Sequence, residues 1–135
     1  MRPSRAPAGW LATLVVTGVL GVSAGREASA GAREIAAADL DAARGDWLDA
    51  IGHARAAAEA AVPASPWPER GFRRLESIGR DATARGDEPT ARLAFAAMKT
   101  AALETRSPWF DRTDWVDRAE HGLSQLAAAP PRAGH

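Results

Sequence analysis

Apolar positions recur at helical spacing through most of the chain. Trp47, Ile51, Ala54, Ala58 and Ala61 follow steps of four and three, which line one face of a helix. Phe72, Leu75, Ile78, Gly79 and Ala82 define a second face. Ala91, Ala94, Phe95, Met98, Ala101 and Ala102 define a third, and Trp115, Ala119, Leu123 and Leu126 a fourth. A further helix, from about Arg33 to Arg44, is expected on Ile35, Leu40 and Ala43 and is the least regular. No window alternates apolar and polar residues as a half-buried strand does. Beta-branched residues concentrate near the N-terminus, which leaves little for a sheet. The expected fold class is all-α, ending in a helix over about Thr113 to Ala128.

One stretch lacks this amphipathic rhythm. From Ala6 to Gly25 there is no charge, and Trp10 to Val22 carries three leucines and four valines. Twenty helical residues span roughly 30 Å, about the hydrocarbon thickness of a bilayer. Arg2 and Arg5 precede the stretch, while Arg26 and Glu27 cancel after it. The positive-inside rule then leaves the N-terminus in the cytoplasm and everything beyond Arg26 outside. Residues 1–31 therefore read as a single-pass inner-membrane anchor or as a cleaved signal peptide. In the second case Val22-Ser23-Ala24 and Ala28-Ser29-Ala30 offer cleavage sites. Both readings put residues 32–128 in the periplasm or another extracytoplasmic space. Thr17, Gly21 and Gly25 recur every four residues, a spacing that lets two membrane helices approach and form a homodimer. The tail, 129–135, with Pro130-Pro131 and a terminal Gly-His, is expected to be flexible.

The punctuation repeats. Gly45-Asp46 and Gly86-Asp87 stand 41 residues apart, and Ser65-Pro66-Trp67 and Ser107-Pro108-Trp109 stand 42 apart. Each glycine can end a helix in the left-handed conformation, and each aspartate can cap the next. The Ser-Pro pairs read as N-cap and first helical residue, and Pro63 reads as a stop. Ala50 and Ala91 fall at the same offset from their glycines and are expected in the helix crossings. Gly79, a costly residue in mid-helix, is expected at a close crossing.

This pattern resembles a tetratricopeptide repeat, a pair of antiparallel helices joined at a Gly-Asp turn. In the second unit Leu75, Ile78, Gly79 and Ala82 match its first helix, Gly86 and Asp87 its turn, and Ala91, Phe95 and Met98 its second helix. In the first unit Gly45, Asp46, Trp47, Ala50, Ile51, Ala54 and Ala57 match the turn and second helix. Glu34, Ala37, Ala38 and Asp41 depart from the first-helix signature, and the period is 41 rather than 34. The resemblance covers about Ala32 to Arg106. It implies two helical hairpins closed by a capping helix, and a scaffold that binds protein partners without chemistry of its own.

Composition narrows the function further. The chain of 135 residues has zero net charge, no cysteine and no tyrosine. Zero charge removes the usual electrostatic basis for nucleic-acid binding. Zero cysteine removes disulfides, thiolate metal sites and cysteine nucleophiles. Alanine supplies 33 residues and arginine 16 of the 17 basic ones, a bias that suggests a GC-rich bacterial genome. No cofactor motif and no catalytic constellation stands out. His53 reads as a surface histidine. Asp117 and His121, four apart, lack further ligands for zinc, and Asp39 and Asp41 face different ways on their helix. Glu76 and Arg80 form a helix-stabilising pair. The candidate partner-binding residues are Trp67, Trp109 and Phe110, aromatic and placed at junctions between hairpins, against the plainer reading that each tryptophan covers its own hairpin. The expected function is a membrane-anchored, non-catalytic interaction module serving an envelope assembly. Its rivals are a self-associating structural protein secreted by signal cleavage, and an exported enzyme.

Overall fold

The computed structural model describes residues 29–60 and 64–129. The apolar N-terminal stretch with its Thr17/Gly21/Gly25 face, the stop at Pro63 and the tail from Pro130 lie outside the described residues. Those described form five α-helices: α1 (29–44), α2 (Trp47–Glu59), α3 (Trp67–Arg85), α4 (Glu88–Glu104) and α5 (Thr113–Ala128). Among the described residues there is no strand beyond an isolated bridge between Ser107 and Phe110. None of their helices is long and apolar enough to cross a membrane.

The two Gly-Asp turns are near copies. Gly45 and Gly86 adopt φ of 85° and 78°, which a Cβ would strain. The Asp46 amide donates to the Asp41 carbonyl and the Asp87 amide to the Ala82 carbonyl, both at 2.9 Å. These bonds satisfy carbonyls that a helix end leaves without partners. The copies differ at the cap. The Asp87 carboxylate accepts from the Thr90 amide at 3.2 Å, whereas Asp46 makes no side-chain cap bond. A hydrogen bond from the Thr90 side chain, together with the one from its amide, holds the Asp87 carboxyl below its ordinary pKa.

From α2 to α5 each helix packs on its sequence neighbours, and α2 also meets α4 as α3 meets α5. The core is built from Ile51, Phe72, Leu75, Ile78, Phe95, Met98, Trp115 and Leu126, interleaved with buried alanines that include Ala50 and Ala91. Alanine lets helix axes approach, and at three crossings glycine brings them closer. A Cβ on Gly71 would lie 2.3 Å from the Ala58 nitrogen and 2.7 Å from the Ala54 oxygen, so α3 meets the backbone of α2 there. At Gly79 the close neighbour is instead the Phe95 ring, 2.8 Å from the position of a Cβ. Gly122 of α5 meets the same ring at 2.7 Å. Phe95 is thus seated between two glycines on two helices.

The first helix departs from the expected pattern. Leu40 is 51% exposed and Ala43 is exposed, so they do not carry the packed face. That face is Gly31, Ile35, Ala38 and Ala42, again in steps of four and three, with Gly31 and Ala38 buried. Small residues win here because α1 lies close to its neighbours, and a leucine would hold it away. Its polar rim is tied down by ion pairs. Asp39 reaches Arg74 of α3 at 3.0 Å, and Asp41 reaches His53 of α2 at 3.5 Å.

Candidate functional site

Two ends of the bundle differ in kind. One holds the tight Gly-Asp turns. The other holds the junctions after α2 and α4, and all three candidate partner-binding residues sit there.

Both Ser-Pro-Trp triplets make the same local bond. The Trp67 amide donates to Ser65 Oγ and the Trp109 amide to Ser107 Oγ, each at 3.3 Å. Neither triplet is the N-cap and first residue that the sequence suggests. At the first junction Pro66 is the N-cap and Trp67 opens α3. At the second no helix starts. Ser107 and Phe110 exchange backbone bonds of 3.2 and 3.1 Å across a tight turn, and α5 begins at Thr113. Asp111 supplies the start signal instead. Its carboxylate accepts from the Thr113 hydroxyl at 2.6 Å and amide at 2.9 Å, which holds its pKa below the ordinary value.

The three aromatic residues have separate surroundings. Trp67 is half-buried. A Cβ on Gly31 of α1 would lie 2.7 Å from its Cβ and Cγ, and the Arg70 guanidinium lies 4.8 Å from its ring centre. Trp109 is 89% exposed. Phe110 turns inward and lines two clefts. The larger, of 420 Å³, lies between the ends of α2 and α4 and is bounded by Ala58, Ala60, Glu104, Arg106, Phe110 and Arg112. The smaller, of 210 Å³, runs from Ala60 past Ser65 and Pro68 to the same Phe110 and Arg112. Trp109 lines neither.

Arg112 is the residue that the sequence reading missed. Its guanidinium lies 5.1 Å from the Phe72 ring centre and 5.5 Å from that of Phe110. Its Nε is buried and has no hydrogen-bond partner among the described residues. Arg55 closes the outer edge, bonding Glu59 on its own helix and Glu104 of α4 at 3.0 Å. The Glu59 bond raises the Arg55 pKa further.

Elsewhere among the described residues one other buried side-chain donor, Arg74 Nε, lacks a hydrogen-bond partner. Buried Glu76 accepts from Arg80 at 2.7 Å and from Arg118 of α5 at 3.5 Å. It borders a 570 Å³ cleft with Asp117 and His121, and the His121 ring bonds Gln125. No group of three or more metal-ligating side chains occurs among the described residues. His53 is more engaged than its position suggested, because its Nδ1 meets Glu34 of α1 at 2.6 Å. That hydrogen bond, with the charges of Glu34, Asp41 and Asp49, raises its pKa above 6.5.

No family profile matches the chain, and neither a curated protein nor a solved structure does.

Proposed function

We propose that this protein is a non-catalytic interaction module, tethered to a membrane through residues 6–25 and carrying its helical domain on the extracytoplasmic side. The observation that carries the docking reading is the pair of clefts around Phe110. They combine an aromatic floor, small apolar walls and the Arg112 side chain. A partner segment that places an apolar side chain on Phe110 and an acceptor on Arg112 fits that chemistry. The near-identical glycine turns and the stacking of alternate helices support a tetratricopeptide-like architecture closed by α5. The tether rests on the charge pattern around the apolar stretch.

The test is recovery of partners from native membranes by the full chain and by Phe110→Ala. The reading expects specific partners with the wild type and about tenfold weaker recovery with the variant, a typical result for an aromatic anchor. Equal recovery by both overturns the docking site. Retention in membranes through a carbonate wash, with an intact N-terminus, supports the tether. A mature chain that starts at Gly25 or Gly31 replaces it with a cleaved signal. The rival reading of self-association draws on Leu40, Leu48, Leu93 and Leu103, all exposed. Light scattering that finds a stable monomer removes it.

A further inference from the structure

We propose that the junction end of the bundle faces a lipid bilayer, and that Trp109 is seated in its headgroup region. This rests on the reading of residues 6–25 as a membrane span. Where the chain enters the bundle sets the orientation. Gly31, in the first turn of α1, lies under the Trp67 ring, so α1 begins at the junction end. Only Arg26, Glu27 and Ala28 separate α1 from Gly25, the last residue of the apolar stretch. Four residue steps reach about 14 Å when fully extended. The nineteen residues of α3 make the bundle roughly 28 Å long. A span that ends at Gly25 therefore brings the junction end to the membrane surface and leaves the Gly45 and Gly86 turns far from it.

The Trp109 turn lies at that same end. Its neighbour Phe110 shares a cleft with Ser65 and Pro68, and Glu104 just before the turn pairs with Arg55 near the end of α2. Trp109 is also held as an anchor requires. The two bonds between Ser107 and Phe110 fix the turn, and Ser107 Oγ fixes the tryptophan amide. Pro108 restricts the backbone before it. An indole joins an apolar ring to an N–H donor, which suits the boundary between headgroups and acyl chains. Arg106, exposed just before the turn, offers its guanidinium to lipid phosphates. Asp111 is engaged by Thr113. A protein occupant would need walls around the ring, and Trp109 lies outside both clefts.

The full chain in phosphatidylcholine vesicles brominated near the headgroup tests the proposal through quenching of tryptophan emission. The chain has five tryptophans. Trp10 in the apolar stretch and Trp109 should be quenched, and Trp109→Phe should lower the quenched emission roughly twofold, consistent with interfacial seating. Trp47→Phe, at the opposite end, should not lower it. Unchanged quenching in Trp109→Phe, with Trp10 still quenched, overturns the proposal and leaves the tether standing. Protein that neither floats with the vesicles nor shows quenching overturns both. A blue shift of Trp109 emission with protein concentration in lipid-free detergent, absent in Trp109→Phe, assigns the ring to a second copy and also overturns it.

Discussion

Trp67 and Trp109 follow the same two residues and share the same serine bond, yet one is covered and the other stands in solvent. The covering partner of Trp67 is Gly31. One 41-residue period beyond Gly31 stands Phe72, which is fully buried and stacks on Trp115 with ring centres 5.3 Å apart. Trp115, six residues past Trp109, therefore occupies the role that Trp67 has in the first unit. The rest of the two helices agrees with this pairing. Arg70 lies 4.8 Å over Trp67, and Arg118 lies 5.0 Å over Trp115, each three residues on. Gly71 and Ala119 follow, both buried, then Leu75 and Leu123, then Ile78 and Leu126. The tripeptide thus specifies a turn, while burial is decided by what a distant helix presents. The six extra residues hold Trp109 and Phe110 outside the repeat.

That assignment can be broken most directly at Trp115. Trp115→Ala removes a buried ring and should cost about 3–5 kcal/mol, read as a large drop in the thermal midpoint. A cost as small as that of Trp109→Ala would end the equivalence. Trp67→Ala should cost less, about 1–2 kcal/mol, because part of its ring is already exposed. Gly31→Ala sharpens the point. In the wild type its Cβ meets the Trp67 ring and should destabilise. A Trp67→Gly background removes the Cβ, Cγ and Cδ1 that this methyl would meet, and there alanine's helix propensity should stabilise by up to about 1 kcal/mol. Denaturant unfolding of the four proteins measures this change of sign.

A smaller effect should follow pH, through the helix that covers Trp67. His53 joins α1 to α2, and its native pKa is raised above 6.5. The charged form is favoured in the folded state. Its stabilising contribution is complete below the unfolded value and is lost as pH rises through the native one. The group is partly exposed, so screening keeps the contribution modest. The thermal midpoint should fall across that window, and His53→Gln should flatten the fall. The smallest effect belongs to Trp109→Ala, within about 0.5 kcal/mol as for surface changes generally. A large loss there would mean that the exposed ring has a folded-state partner.

The sequence made α3, α4 and α5 legible because Phe, Leu, Ile, Met and Trp mark their packed faces. It misled in α1, where Gly31, Ala38 and Ala42 carry the contact. In a chain with 33 alanines, a small residue says little about which way it faces. Leu40 drew the expected face toward itself and is exposed. Phe110 was visible as an aromatic at a junction. Its setting was not, because the clefts arise where α2 and α4 end side by side, joined by Arg55 and Glu104 across 49 residues. Arg112 resembled any other surface arginine until its guanidinium was found beside Phe72 and Phe110.

Phe95 gives the bundle an uneven cooperativity. One ring from α4 fills the space that missing side chains leave on both α3 and α5. Neither outer helix can then separate without uncovering the same ring. In amide hydrogen exchange the three helices should open together, as a single slow unit. The first helix has no such shared ring and is held by small residues and partly exposed ion pairs. Its amides should exchange earlier and independently, so the part of the domain next to the proposed tether can loosen while the part beyond it stays closed.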